Sequence, residues 1–131
     1  MMQRILVIDD DAILAGLLQL TLEMADYEVE TAADGDAGLS RVRSGAFDLI
    51  LLDLVMPKID GIKFLRLLSE RAGPRPPVMI VSSATDGVMN DEYRALGVID
   101  VARKPVEPDE LLDRVDRALK QQPAPVGGAS A

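Results

Sequence analysis

Five polar residues follow hydrophobic segments of the sequence, and their types suit chemistry on a phosphate. These residues are Asp9, Asp10, Asp53, Ser82 and Lys104. If the three carboxylates lie close together they repel one another, and a bound cation relieves that repulsion. Oxygen ligands of this kind select Mg²⁺, Mn²⁺ or Ca²⁺, and a site with few carboxylates favours Mg²⁺ shared with a phosphate group.

Each member of this set can be given a chemical role. The carboxylate of Asp53 can act as a nucleophile without a general base and form an aspartyl phosphate. Lys104 supplies a positive charge and Ser82 a hydroxyl, and both groups suit phosphoryl oxygens whose charge is redistributed during transfer. The sequence therefore predicts phosphoryl transfer onto Asp53.

The composition removes several other kinds of chemistry. The 131 residues include no Cys and no His, which excludes disulfides, zinc sites and any catalytic triad that depends on histidine. The formal net charge of −8 argues against nucleic acid or an anionic membrane as a direct partner. No apolar run approaches the roughly 18 residues of a membrane span, so we expect a soluble cytoplasmic protein.

Alternating strand-like and helix-like segments provide the framework for these residues. The predicted strands cover residues 5–8, 28–32, 49–52, 78–81 and 98–103, and the predicted helices begin at Ala12 and cover 37–43, 62–68, 90–96 and 108–120. We expect the helical Leu and Val residues in the core, Asp11 as a helix cap and Asp34-Gly35 as a turn.

This alternation predicts an α/β fold, with a doubly wound five-stranded parallel sheet and helices on both faces. Ligands of such sheets bind beyond the carboxyl ends of the strands, where the strand order reverses. Those are the positions at which the five polar residues stand.

Several short stretches of the sequence resemble the receiver domains of bacterial two-component response regulators. The matching stretches are ILVIDDD at 5–11, DLILLDLVMP at 48–57, DG at 60–61, VSS at 81–83 and KP at 104–105. The resemblance implies a flavodoxin-like strand order 2-1-3-4-5, with residues 1–121 as the receiver domain and 122–131 as a flexible tail or truncated linker.

The resemblance also implies particular roles for the site residues. Asp10, Asp53 and the backbone carbonyl of Val55 would bind Mg²⁺, with Asp9 close by. Asp53 would be the phosphoacceptor. The hydroxyl of Ser82 would move toward the phosphoryl group, and Lys104 would form an ion pair with that group. A cis peptide bond would precede Pro105.

The partners that the resemblance implies are proteins. A histidine kinase or a histidine phosphotransfer protein would supply the phosphoryl group, and a downstream protein or a covalently linked output domain would respond to it. The chain itself would be a signalling switch that assists its own phosphorylation and dephosphorylation. It would bind neither nucleic acid nor a membrane directly.

Two alternative functions remain open, and the sequence departs from the common receiver pattern at two positions. Phosphatases of the haloacid dehalogenase type also use a strand-end Asp with Mg²⁺, but they carry a second Asp where this chain has Val55. A receiver-like module that no longer accepts phosphate is the other alternative. Val101 and Val106 stand where many receivers have aromatic residues, so the usual coupling to output is in question.

Overall fold

The computed structural model describes residues 2–71 and 75–120. Within them, five parallel strands form one sheet in the order β2-β1-β3-β4-β5. The strands are β1 (Arg4–Ile8), β2 (Glu28–Ala32), β3 (Leu49–Leu52), β4 (Val78–Ser82) and β5 (Val98–Arg103). The chain runs outward from β1 to β2 and then returns to β3 on the other side of β1, so the strand order reverses between β1 and β3. The predicted fold class and strand order are confirmed.

Five helices connect or follow the strands. They are α1 (Ala12–Met24), α2 (Gly35–Ser44), α3 (Gly61–Glu70), α4 (Asp91–Ala95) and α5 (Pro108–Lys120). The helix predicted at 37–43 begins two residues earlier, at Gly35. The predicted turn at Asp34-Gly35 is therefore wrong at Gly35, which is helical, and Asp34 is the cap.

Short polar side chains determine where four of the helices begin. Asp11 accepts from the backbone N–H groups of Ile13 and Leu14, which confirms its predicted role as a cap. Asp34, Asp60 and Asn90 accept in the same way from the N–H three residues further on. These bonds satisfy N–H groups that have no partner within the helix, so each strand-to-helix corner is defined locally.

Two apolar layers lie on opposite faces of the sheet. Alternate residues of the strands pack with buried residues of α1 and α5 on one face. The remaining strand residues pack with buried residues of α2 and α3 on the other, joined by partly buried residues of α4. The central strands are therefore apolar on both sides, as expected for a doubly wound sheet.

The exposed face of α1 departs from the predicted pattern. Leu18 is buried, but Leu17 is 56% exposed, so the expectation that the helical leucines all belong to the core is wrong for Leu17. It lies in a stripe of exposed apolar residues, Ile13, Leu17, Leu20 and Met24, along the helix. Because a helix turns 100° per residue, neighbouring leucines point to different faces and only one face meets the sheet.

Two expectations fall on parts of the chain outside the described residues. These are the tail at 122–131 and the proline at position 74 of the predicted loop before β4. Of the helices in the described part of the chain, none combines the length and the apolar character needed to cross a bilayer.

Candidate functional site

The carboxyl ends of the strands bring the predicted polar residues together. Asp9 follows β1, Asp53 follows β3 and Ser82 ends β4, and their side chains are buried. Asp10 is exposed at the rim. Asp53 N–H donates to the carbonyl of Ile8 at 3.0 Å, which extends the pairing of β1 and β3 by one residue and fixes Asp53 beside Asp9. The site thus lies where the strand order reverses.

Three carboxylates form a cluster at this point. One oxygen from each of Asp9, Asp10 and Asp53 lies within 4.8 Å of the other two. Such a set of hard oxygen donors, with one member open to solvent, fits a cation of the Mg²⁺ class that keeps part of its hydration shell. The donor chemistry of the described residues therefore agrees with the predicted metal site.

Lys104 places a positive charge against the cluster. Its Nζ lies 2.8 Å from Asp9 Oδ2 and 3.4 Å from Asp53 Oδ2, and its side chain is 17% exposed. Burial lowers the pKa of Lys104, but hydrogen bonds and charge interactions with Asp9 and Asp53 outweigh it, so the pKa is raised overall. Lys104 is thus held in its charged form.

Ser82 lies on the other side of the Asp53 carboxylate. Its Oγ donates a hydrogen bond to Asp53 Oδ1 at 2.6 Å. The same oxygen accepts from the N–H groups of Ala84 at 3.1 Å and Leu54 at 3.4 Å. The hydroxyl is therefore connected both to the residues that follow β3 and to the start of the loop after β4.

The β3–α3 loop (residues 53–60) forms one wall of the site. Val55 N–H donates to Asp53 Oδ1 at 3.3 Å, while the Val55 side chain is 57% exposed. The loop closes onto α3, where Gly61 N–H donates to the Leu54 carbonyl at 2.9 Å. A Cβ on Gly61 would lie 2.7 Å from Leu54 Cα and 2.9 Å from the Asp53 carbonyl oxygen, so only glycine permits this approach.

β5 and the residues that follow it contribute two further predicted features. The Lys104–Pro105 peptide bond is cis, as the resemblance implies. Val101 is 3% exposed and packs in the layer that contains Met89, Tyr93 and Leu96. Position 101 thus contributes a small, buried side chain next to the α4 region.

The sequence did not predict the contacts between the β3–α3 loop and the start of α2. Lys58 has a positive φ of 71° and its Nζ lies 3.3 Å from Asp34 Oδ2. The side chain of Ile59 contacts the backbone of Gly35. The helix cap at Asp34 could be recognised in the sequence, but no signal pairs it with a lysine 24 positions away.

Fold and site together define a parallel α/β domain with an acidic cation site, a buried aspartate and a lysine at the sheet edge. The family model for the response regulator receiver domain matches residues 5–116. The chain therefore belongs to the response regulator receiver domains, which are phosphoacceptors in two-component signalling. This membership decides against the haloacid dehalogenase alternative.

Curated relatives extend beyond the length of this chain. Response regulator ArlR of Staphylococcus saprophyticus is 34% identical over 122 residues, which cover 93% of this chain and 54% of the relative. ArlR of Staphylococcus aureus is also 34% identical, with 93% and 55% covered. The chain thus spans about half the length of these relatives.

Solved structures share the architecture. Chemotaxis response regulator CheY4 of Vibrio cholerae superposes with a TM-score of 0.81 at 30% identity, covering 90% of this chain and 99% of that one. Response regulator TrrA of Thermotoga maritima, in complex with Mg²⁺ and BeF, gives 0.74 at 27% identity, covering 89% and 99%.

Proposed function

We propose that Asp53 is the phosphoacceptor of this receiver domain. The observation that supports this most directly is that a hydroxyl and an ammonium group flank the buried carboxylate of Asp53. Ser82 Oγ is 2.6 Å from Asp53 Oδ1, and Lys104 Nζ is 3.4 Å from Oδ2. A phosphoryl group attached to either oxygen would meet a donor or a positive charge at once.

The proposed transfer uses a phosphohistidine as donor. The N–P bond breaks, its electron pair stays with the imidazole, and a new bond forms between phosphorus and an Asp53 oxygen. Lys104 offsets charge on the phosphoryl oxygens, and Ser82 donates a hydrogen bond to one of them. In this proposal the chain is a signalling switch that assists its own phosphorylation and dephosphorylation.

Mg²⁺ is the proposed cofactor. Asp10 and Asp53 would hold it together with the Val55 carbonyl, while Asp9 stays nearby with Oδ1 accepting from Asp11 N–H at 2.9 Å. When bound, the ion neutralises charge on the transferred group. Because Asp9 already bonds Lys104 and a backbone N–H, its role is to anchor the lysine and to act on the metal through water.

The partners in this proposal are a histidine kinase or a histidine phosphotransfer protein and a downstream protein or linked output domain. Family membership supports the first, and the greater length of the curated relatives leaves room for the second. The proposed place of action is the cytoplasm. The charge of −8 supports action without direct contact between the receiver domain and nucleic acid or an anionic membrane.

The test is incubation with acetyl phosphate, with and without Mg²⁺, followed by intact mass and mapping of the modified residue. We expect one phosphoryl group on Asp53, only with Mg²⁺ present. Asp53→Asn should abolish it, since an amide is not a nucleophile of comparable strength. If Asp53→Asn incorporated as much phosphoryl group as the parent, the assignment of Asp53 would be refuted. If the parent itself incorporated none, the alternative of a module that no longer accepts phosphate would be favoured.

A matched pair of variants tests the metal ligands. Asp10→Asn and Asp11→Asn each remove one negative charge, and Asn at position 11 can still cap α1. We expect Asp10→Asn to weaken Mg²⁺ binding by about tenfold or more, and Asp11→Asn to have a much smaller effect. Equal losses would mean that general charge, and no direct bond from Asp10, governs the affinity.

A further inference from the structure

The β3–α3 loop contacts the start of α2, which lies outside the proposed phosphoacceptor site. Asp34, the cap of α2, faces Lys58 of the loop, with 3.3 Å between Oδ2 and Nζ. The next residue in each segment also makes contact, because the Ile59 side chain packs on Gly35. Two successive residues of the loop thus meet two successive residues at the start of α2.

The Gly35 contact leaves no room for a side chain. A Cβ built on Gly35 would overlap Ile59 Cγ1 and lie 2.6 Å from Cδ1, and Gly35 itself is buried. Any larger residue at this position must displace the Ile59 side chain, because that side chain occupies the space beside Gly35. The contact thus joins residue 59 of the loop to the start of α2.

The Asp34 contact is well organised on the α2 side. Asp34 Oδ1 accepts from Ala37 N–H at 2.8 Å. This backbone hydrogen bond, followed by the hydrogen bond and charge of Lys58, lowers the pKa of Asp34, so the carboxylate is charged at neutral pH. Lys58, in turn, adopts a φ of 71°, which non-glycine residues rarely occupy.

We propose that Asp34 and Gly35 are positioning residues for the metal site. They would hold residues 58–59 of the loop and thereby set the place of the Val55 carbonyl three residues earlier. The inference rests on the proposed function, in which that carbonyl is a metal ligand. It extends that function, because it assigns control of Mg²⁺ affinity to a corner of α2 that touches neither the metal nor the phosphoryl group.

Charge alone predicts the opposite result for one variant. Removing the positive charge of Lys58 lowers the repulsion felt by a nearby cation, so Coulomb's law predicts tighter Mg²⁺ binding. Loss of the contact between Lys58 and Asp34, by contrast, predicts weaker Mg²⁺ binding. The sign of the change in Lys58→Met therefore separates positioning from general electrostatics.

The experiment measures Mg²⁺ affinity by calorimetry, and the Mg²⁺ dependence of acetyl phosphate labelling, for the whole chain. We expect Lys58→Met to raise the Kd for Mg²⁺ by about threefold to tenfold. This is less than the largest effects of residues that support metal ligands, because the lysine side chain is 61% exposed and exposed ion pairs are weak. Lys58→Gly, which accommodates the positive φ, should weaken binding in the same direction. At saturating Mg²⁺ the labelling rate should return to near the parent value, because the groups that contact the phosphoryl group are intact.

Matched controls accompany the α2 variants. Asp34→Asn keeps a capping side chain, and Asp36→Asn removes the same charge from an exposed neighbour in the first turn of α2. Gly35→Ala is compared with Gly16→Ala, where a Cβ meets nothing within 4 Å. We expect the position 34 and 35 variants to weaken Mg²⁺ binding several-fold and both controls to leave it within about twofold of the parent.

Each outcome decides between the two proposals. If the parent binds Mg²⁺ and the Lys58 variants bind it equally or more tightly, the positioning role of this corner is wrong and the proposed function stands. If the parent binds no Mg²⁺, both are wrong. A double variant Asp34→Asn/Lys58→Met should be no weaker than the worse single variant, because both substitutions break the same contact.

Discussion

At the scale of single residues, Asp53 engages both of its carboxylate oxygens. Oδ1 accepts from the Ser82 hydroxyl and from Val55 N–H, and Oδ2 faces Lys104. In the proposed function, Ser82 therefore already contacts the phosphoacceptor, and we expect phosphorylation to exchange its hydrogen bond from the carboxylate to a phosphoryl oxygen. We expect the loop after β4 to follow any shift of Ser82 Oγ, because the N–H of Ala84 donates to that oxygen.

The side chains at the rim of the site predict a long-lived phosphoryl group. Val55 and Ala84 are exposed and carry no polar atom that could orient an attacking water. We expect Val55→Asn to shorten the aspartyl-phosphate half-life by roughly threefold to tenfold, because an amide can position that water. The half-life can be followed by loss of phosphoryl mass after removal of the donor.

Val55→Ala is the control for this prediction, because it reduces the side chain without adding a polar atom. It should leave the half-life close to that of the parent. Equal acceleration by Ala and Asn would show that side-chain bulk, and no oriented water, limits hydrolysis.

At the scale of secondary structure elements, α1 contributes to the core through one face only. Leu18 is 7% exposed within the layer formed with α5, whereas Leu17 is 56% exposed. We expect Leu18→Ala to lower the free energy of unfolding by about 2–4 kcal/mol, because it leaves a cavity. Leu17→Ala should change it by no more than about 1 kcal/mol.

Urea unfolding of the two α1 variants gives this comparison directly. Both place alanine in the same helix, so helix propensity contributes equally to the two values. Similar losses at positions 17 and 18 would contradict the assignment of the buried face.

The cap of α2 predicts a pH dependence. The pKa of Asp34 is lowered in the folded protein, chiefly by Ala37 N–H and also by Lys58. A lowered pKa contributes stability above the unfolded value, and that contribution is lost as the pH falls through the folded value. The advantage of the parent over Asp34→Asn should therefore be full at pH 7 and shrink below about pH 4, the ordinary range of aspartate.

Unfolding midpoints of the parent and Asp34→Asn between pH 7 and pH 3 measure this effect. Asp36→Asn, an exposed neighbour, serves as the reference for general charge. A difference that stayed constant, or grew, toward low pH would contradict the role of the ionised carboxylate.

At the scale of the whole molecule, the sheet edge connects the proposed phosphoacceptor, Asp53, to α4. Ser82 ends β4, and the loop that follows it leads into α4, where the partly buried Tyr93 packs in the same layer as Val101. A phosphoryl group shifts a conformational equilibrium only through contacts that differ between the two states. In the proposed function, those contacts belong to Ser82 and Lys104.

We expect a beryllofluoride phosphoryl mimic to change amide chemical shifts mainly in residues 82–96. Val101 is buried, small and stiff at χ1, so it cannot swing as an aromatic ring does. Val101→Ala should lower the free energy of unfolding by roughly 1–3 kcal/mol and leave most of this response in place. Loss of the response in a variant that still binds the mimic would assign the switch to position 101.

The amino-acid sequence by itself determined the local elements and the residues at their ends. The apolar runs of β1, β3 and β4 are buried on both faces, and the helix caps act within three residues, so each could be recognised without knowledge of its neighbours. Asp9, Asp53, Ser82 and Lys104 could be predicted to meet because parallel strands direct their carboxyl ends to one edge.

Only the tertiary structure decided which partners those residues have. Lys104 reaches Asp9 across 95 positions of sequence, and Lys58 reaches Asp34 through the packing of a loop on a helix. Arg114 of α5 forms an ion pair with Asp100 at 3.0 Å. Asp100 lies beside a register shift between β4 and β5, which the local sequence pattern does not predict. Such contacts depend on how elements pack against one another, whereas sequence periodicity specifies only the face that each element buries.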